Sequence, residues 1–234
     1  MKFAPLFLLI SLFIIAPQTK ANVVGADTQN FNPLTSGLDF VTVHSSETLQ
    51  PGVINTGLFF NYAVNSLSNI EDVSTQSRDE IIDSLISMDL NFGVGLLKNW
   101  EVGFSFPQVL NQDVDSPAFR AQFEETGSTE IRANTKFRFW GDSDGGGAVI
   151  LSMNYPLIDN NPFTGEEPGP TFNFEFAIDG TIDKIAIGAN VGYRLRNSGE
   201  RVSGFNNIEP FQDQFIGSLA ASYYFQEIDT KAMF

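Results

Sequence analysis

The residues best suited to covalent chemistry meet at one place, where His44, the single histidine of 234 residues, is followed by Ser45 and Ser46. A hydroxyl beside an imidazole can become a nucleophile and its base, provided a third group orients the ring. No second histidine exists to take over from a poorly placed one, and no cysteine offers an alternative nucleophile. We therefore expect no catalytic residue. Asp142 and Asp144, with Gly145, Gly146 and Gly147 behind them, resemble the start of a calcium loop, but the remaining ligand positions of a 12-residue site are apolar or absent. A glycine-rich hairpin turn accounts for them better. Without cysteine, disulfides and thiolate metal sites are excluded, and neither metal nor cofactor is expected.

A third constellation is larger: Asp89, Glu101, Glu130, Arg132, Lys136, Arg138, Glu175, Asp179, Arg194 and Arg196 all occupy the polar places of alternating runs. In residues 84–97 the even places carry Ile86, Met88, Leu90, Phe92, Val94 and Leu96, and the odd ones Ser87, Asp89, Asn91, Gly93 and Gly95. Period two is the signature of a pleated strand. The next run sets Trp100, Val102, Phe104 and Phe106 against Glu101, Gly103 and Ser105, and only Lys98 and Asn99 intervene, which predicts a hairpin. The pattern returns with Ile131 to Phe139, Val149 to Leu157, Phe172 to Ile178 and Ile185 to Leu195. It is weaker from Ile54 to Tyr62 and from Phe215 to Phe225. Eight strands are complete, and Ile228–Phe234 opens a ninth.

Alternation also describes the half-buried sheet of a soluble sandwich. Three features point instead to an antiparallel up-and-down transmembrane β-barrel of the all-β class. The apolar face is rich in phenylalanine, 23 in the chain, and too bulky to pack inside a narrow barrel, whereas the polar face holds the glycines and charges. Connections alternate between brief ones, after residues 97, 140, 179 and 225, and long ones near 64–83, 107–128, 158–170 and 197–213. Many acids lie in the long ones, among them Glu71, Asp72, Asp79, Glu80, Asp113, Asp115, Glu124, Glu125, Glu166 and Glu167. Aromatic residues fall at strand ends: Trp100 and Trp140 beside the brief turns, Tyr62, Phe106, Tyr155 and Tyr193 towards the long loops, as two interfacial girdles would require.

The first residues fit this destination. Lys2 precedes an apolar run from Phe3 to Ala16, then Pro17 and Thr19-Lys20-Ala21, which reads as a signal peptide over 1–21 with cleavage after Ala21. About 14 apolar residues are too few for a spanning helix. Cleavage would remove two lysines and no acid, lowering the net charge from −15 to −17, and so acidic a chain is not expected to bind nucleic acid. Residues 22–52 are read as a periplasmic or luminal N-terminal arm, with an edge strand at Leu38–Val43 as the alternative, and residues 53–234 as the barrel. The abrupt ninth strand predicts a barrel larger than these strands. Phe234 is the kind of terminal aromatic that barrel-assembly machinery reads, though Thr230 and Ala232 are weak companions.

The stretches SGLDFVTVHSSETLQPG (36–52) and TGLFFNYAVNSL (56–67), with GSTEIRANTKFRF (127–139) and NVGYRLRNSG (190–199), resemble the N-terminal barrel of outer membrane protein A family proteins from predatory and related Gram-negative bacteria. The resemblance spans most of residues 22–234 and implies an outer-membrane barrel in contact with lipid and lipopolysaccharide. Such proteins often carry a peptidoglycan-gripping domain; no stretch of these 234 residues has that pattern, so the anchoring role is not carried over. The expectation is a structural or surface-interaction barrel. A porin-like channel for small solutes is the alternative, and a lipid-modifying enzyme built on His44 the third reading.

Overall fold

The computed structural model describes residues 31–38, 40–66, 70–72, 77–79, 83–114, 126–142, 144–159, 161–203 and 209–234. The signal peptide expected at 1–21, with its cleavage after Ala21, lies outside these residues, as do the loop acids Glu80, Asp115, Glu124 and Glu125.

The period-two runs form strands in chain order: β1 (Ile54–Val64), β2 (Ile70–Asp72), β3 (Ser77–Asp79), β4 (Asp83–Leu97), β5 (Trp100–Val114), β6 (Gly127–Ser128), β7 (Glu130–Asp142), β8 (Gly145–Pro156), β9 (Thr171–Ile182), β10 (Ile185–Leu195), β11 (Gln214–Phe225) and β12 (Thr230–Met233). Every pairing is antiparallel, and the main sheet runs β1-β4-β5-β7-β8-β9-β10-β11-β12, curled into a half-barrel. β2 and β3 pair with each other, and β6 pairs with β5. The fold is all-β and up-and-down, with eight full strands and a short ninth. Among the described residues the outer edge of β1 has no strand partner, and β12 covers only Ser222–Phe225 of β11.

Tight turns set the register at one end. Lys98 and Asn99 join β4 to β5; Asp183, in the left-handed region at φ 55°, and Lys184 join β9 to β10. Aspartate tolerates that region because its short side chain bonds locally. The β7–β8 turn instead needs glycine: Gly141 and Gly145 have φ of 103° and 140°, and a Cβ on either would overlap neighbouring backbone. A 3-10 turn at Gln226–Ile228 leads to β12.

Two differences from the alternation have physical causes. β5 runs on to Val114 through Pro107 and a polar stretch that reads as loop, because β4 continues to pair with it, Ser84 opposite Asp113. A bulge leaves Leu110 without a partner, so buried inner places change from Val109 to Gln112 and Val114. The connection near 107–128 is correspondingly shorter than expected, while the one near 64–83 keeps its bounds and contains the β2–β3 hairpin. The inner wall is also less uniformly polar than the pattern implies, since Leu85 packs on Val109, and Ala148, Ile150 and Ala177 form a second buried cluster.

The outer face keeps its apolar side chains uncovered. Phe60 is 63 % exposed, Val191 61 % and Leu219 74 %, and Phe104, Phe137, Phe174 and Ile178 are exposed as well. No helix among the described residues is long and apolar enough to cross a membrane, a statement that does not concern strands.

Candidate functional site

Residues 31–50 contain no described helix or strand, yet they do not hang free: they cross the inner wall as a strap from β1 and β4 to β10 and back. Asn91 Nδ2 donates to the Pro33 carbonyl (2.9 Å) and Asn55 Nδ2 to the Thr35 carbonyl (2.8 Å). On the far side Asn190 clasps the main chain of His44, accepting its N–H at 2.7 Å and donating to its carbonyl at 2.8 Å. The Ser46 amide donates to Asp179 and the Leu49 amide to Glu101, both at 2.7 Å. Phe40 and Val43 bury their side chains against Ala186 and Ala220. Glycines make space below: a Cβ on Gly93, Gly95 or Gly103 would overlap strap atoms at Thr35, Leu49 or Gln50, and one on Gly188 would strike the Phe40 ring.

Beside this strap the ionised residues pair with one another on the inner wall. Glu101 and Lys136 are directly opposite in the β5–β7 register, with Lys136 Nζ 2.9 Å from Glu101 Oε1 and both side chains buried. Arg132 reaches Asp89 at 3.1 Å and Glu130 at 2.5 Å. A second oxygen of Asp89 accepts the Ser105 hydroxyl. Burying such charges is costly unless each finds a partner and further hydrogen bonds, and Glu101 has both, its second oxygen holding Leu49. Arg194 donates to Asn173, which donates to Ser152. Glu175 lies on the same wall and lines the same cavity as Arg194.

The other two arginines serve elsewhere. Arg138 lies near the brief turns and donates to the carbonyls of Asp142 and Lys98, tying two hairpins together. Arg196 falls one residue beyond β10, stacks 5.3 Å from the Phe211 ring and donates to Gln214.

Among the aromatics, Trp100 Nε1 donates to Thr135 Oγ1 (2.6 Å) and Trp140 is exposed, both beside brief turns. Tyr62, Tyr155 and Tyr193 lie within two residues of the long-loop ends of β1, β8 and β10, and Tyr193 bonds Asp213. Phe106 does not belong with them. Because β5 extends to Val114, Phe106 sits well inside the strand, edge-on to Phe92.

The strap's lower contacts, to Glu101, Asp179 and the Lys98 carbonyl, fall near the brief turns. On its other side is a cavity of about 650 Å³, walled by Asn154, Asn173, Arg194 and Gln214 and floored by strap residues that include Thr35 and His44. Among the described residues the strap thus lies on the wall near the brief turns, and the cavity lies towards the other end.

His44 bonds neither neighbouring serine through its Nδ1. Its Nδ1 and the hydroxyls of Ser45 and Ser46 are buried without a hydrogen-bond partner among the described residues, so no nucleophile–base pair forms between them. Burial, and secondarily the charge of Lys136, lowers its pKa from 6.5 to about 3, which keeps the ring neutral. Asp142 accepts the Asp144 amide at 3.0 Å, a turn bond, and no cluster of three metal-binding side chains occurs among the described residues. The strap's role was the part the sequence reading missed; the signal available was the row of inward glycines at 93, 95 and 103, where close backbone approach is what a side chain would prevent. No protein-family model and no curated protein matches this chain.

Proposed function

We propose that this chain is an outer-membrane β-barrel protein with a structural or surface-interaction role, exported behind a cleaved signal peptide and contacting lipid and lipopolysaccharide. The observation that carries this reading is the inverted polarity of the sheet. Phenylalanines, leucines and valines stand uncovered on the outer face of every long strand, while buried ion pairs such as Glu101–Lys136 occupy the inner one. An apolar belt of this extent is stable against lipid and is an aggregation hazard in water. The strap supports a role that does not require constant passage of solute, since it lies across the inner wall near the brief turns.

A small-solute channel is the second reading, favoured by the 650 Å³ cavity beyond the strap. Refolding residues 22–234 into liposomes and into planar bilayers separates the two. The lead reading expects insertion without steady conductance; persistent single-channel steps would establish the channel instead. Phe176→Arg, on the outer face of β9, is expected to lower stability in lipid by about 2–4 kcal/mol. A detergent-free polypeptide that is monomeric in water, with its phenylalanines shielded, would defeat both.

A further inference from the structure

The wall receives the strap in an unusual way. Side chains of the wall bond main-chain groups of the strap, at Pro33, Thr35, His44, Ser46 and Leu49. Main-chain groups are common to all peptides, so these contacts recognise the strap's backbone, which folds back on itself where the Leu34 amide donates to the Val41 carbonyl. The inward glycines extend that logic, because each lets backbone or a ring lie directly on the strands.

The strap's own polar groups are less well served. The hydroxyls of Ser36, Ser45 and Ser46 and the Nδ1 of His44 are buried with no hydrogen-bond partner among the described residues. Such atoms are rare in a settled core, since each has given up water and gained nothing. In a segment that can leave its seat, the penalty exists only while it is seated. The strands are paired with one another throughout β4–β11 and depend on the strap for none of those ladders.

We propose that the inner wall is a binding site for a polypeptide segment, filled here by the chain's own residues 31–38 and 40–50, and that this strap leaves and reseats without unfolding the strands. The site itself rests on the wall's geometry. That this wall faces the interior of a membrane barrel rests in addition on the barrel reading above.

Hydrogen exchange on the refolded chain in detergent micelles tests the first part. Amides of His44, Ser46 and Leu49 should exchange at least about tenfold faster than those in the middle of β8 and β9, the expected mark of a locally opening unit. Exchange at the strands' rate would overturn the proposal. A variant with residues 31–50 replaced by a glycine-serine linker of equal length should retain the strand circular dichroism and bind a fluorescent synthetic peptide of residues 31–50 saturably. Adding Gly95→Val and Gly103→Val should weaken that binding by about tenfold or more, because the new side chains occupy the seat. A strand-competent variant that ignores the peptide, or one whose binding the valines leave unchanged, sinks the idea. If the linker variant does not fold, the strap is part of the cooperative structure and the proposal fails with it. Failure of the membrane reading is separate: a chain that never inserts into phosphatidylcholine–phosphatidylglycerol liposomes leaves the exchange and peptide results standing.

Discussion

The two halves of the inner wall hold the same strap by different chemistry. Across β4, β5 and β7 the wall is ionised, and its charges satisfy one another first: Lys136 takes one oxygen of Glu101 and Arg132 bridges Asp89 and Glu130. The strap receives what remains, the second Glu101 oxygen, together with the side-chain amides of Asn91 and Asn134. Across β8 to β11 small residues, Ala186, Gly188 and Ala220, make room for the strap's Phe40 and Val43, and Asn190 and Asp179 clasp its main chain. The first half therefore owes its stability to pairs that must stay intact, while the second can release the strap with little harm to itself.

Substitutions sharpen the contrast. The largest effect is expected from Lys136→Ala, which leaves Glu101 charged and buried without its cation. Urea unfolding in liposomes should show a loss of about 3–5 kcal/mol, with part of it recovered when Glu101→Gln is added. Gly95→Ala should cost less, about 1–3 kcal/mol, since its methyl group meets the Leu49 and Gln50 carbonyls. Gly217→Ala, whose new atom would have its nearest neighbour at 3.8 Å, should stay within about 0.5 kcal/mol and serves as the control. Asn190→Ala should remove about 1 kcal/mol and raise exchange at His44 while leaving the β5–β7 pairs unchanged by exchange or spectroscopy.

The smallest effect at neutral pH belongs to His44. Its folded pKa lies below its unfolded value of 6.5, so the unfolded chain takes up the proton first. The stability it contributes is complete above about pH 6.5 and is lost progressively as the pH falls towards about 3. His44→Gln should flatten that part of the pH profile; parallel profiles for the two proteins between pH 7.5 and 5 would contradict a buried neutral imidazole.

Much of the sheet was legible because alternation is a local property. The hairpin at Lys98-Asn99 and the runs around Leu90, Phe137, Phe174 and Val191 each declare their faces within about ten residues. Register is not local. Glu101 and Lys136 could be assigned to the same side of the sheet, but their direct opposition depends on how β5 and β7 slide against each other. The bulge at Leu110 is hidden for a related reason, as it exists only in the pairing with β4. The strap was legible only as a periplasmic or luminal arm over 22–52; its seat was not, because its partners lie on strands far along the chain. Phe106 was misplaced because Pro107 and the polar residues behind it resemble a loop start and are in fact strand.

Sequence distance gives the strap a place in the order of assembly. Every ladder of the main sheet joins strands that neighbour each other in the chain or are separated only by a short hairpin, so the sheet can grow by addition at one edge. His44, however, meets Asn190 across 146 residues, and Ser46 meets Asp179 across 133. Closing so long a loop is slow relative to forming hairpins. The segment made before any strand is consequently the last to find its place, and during biogenesis the interior stays accessible until β9 and β10 have been laid down.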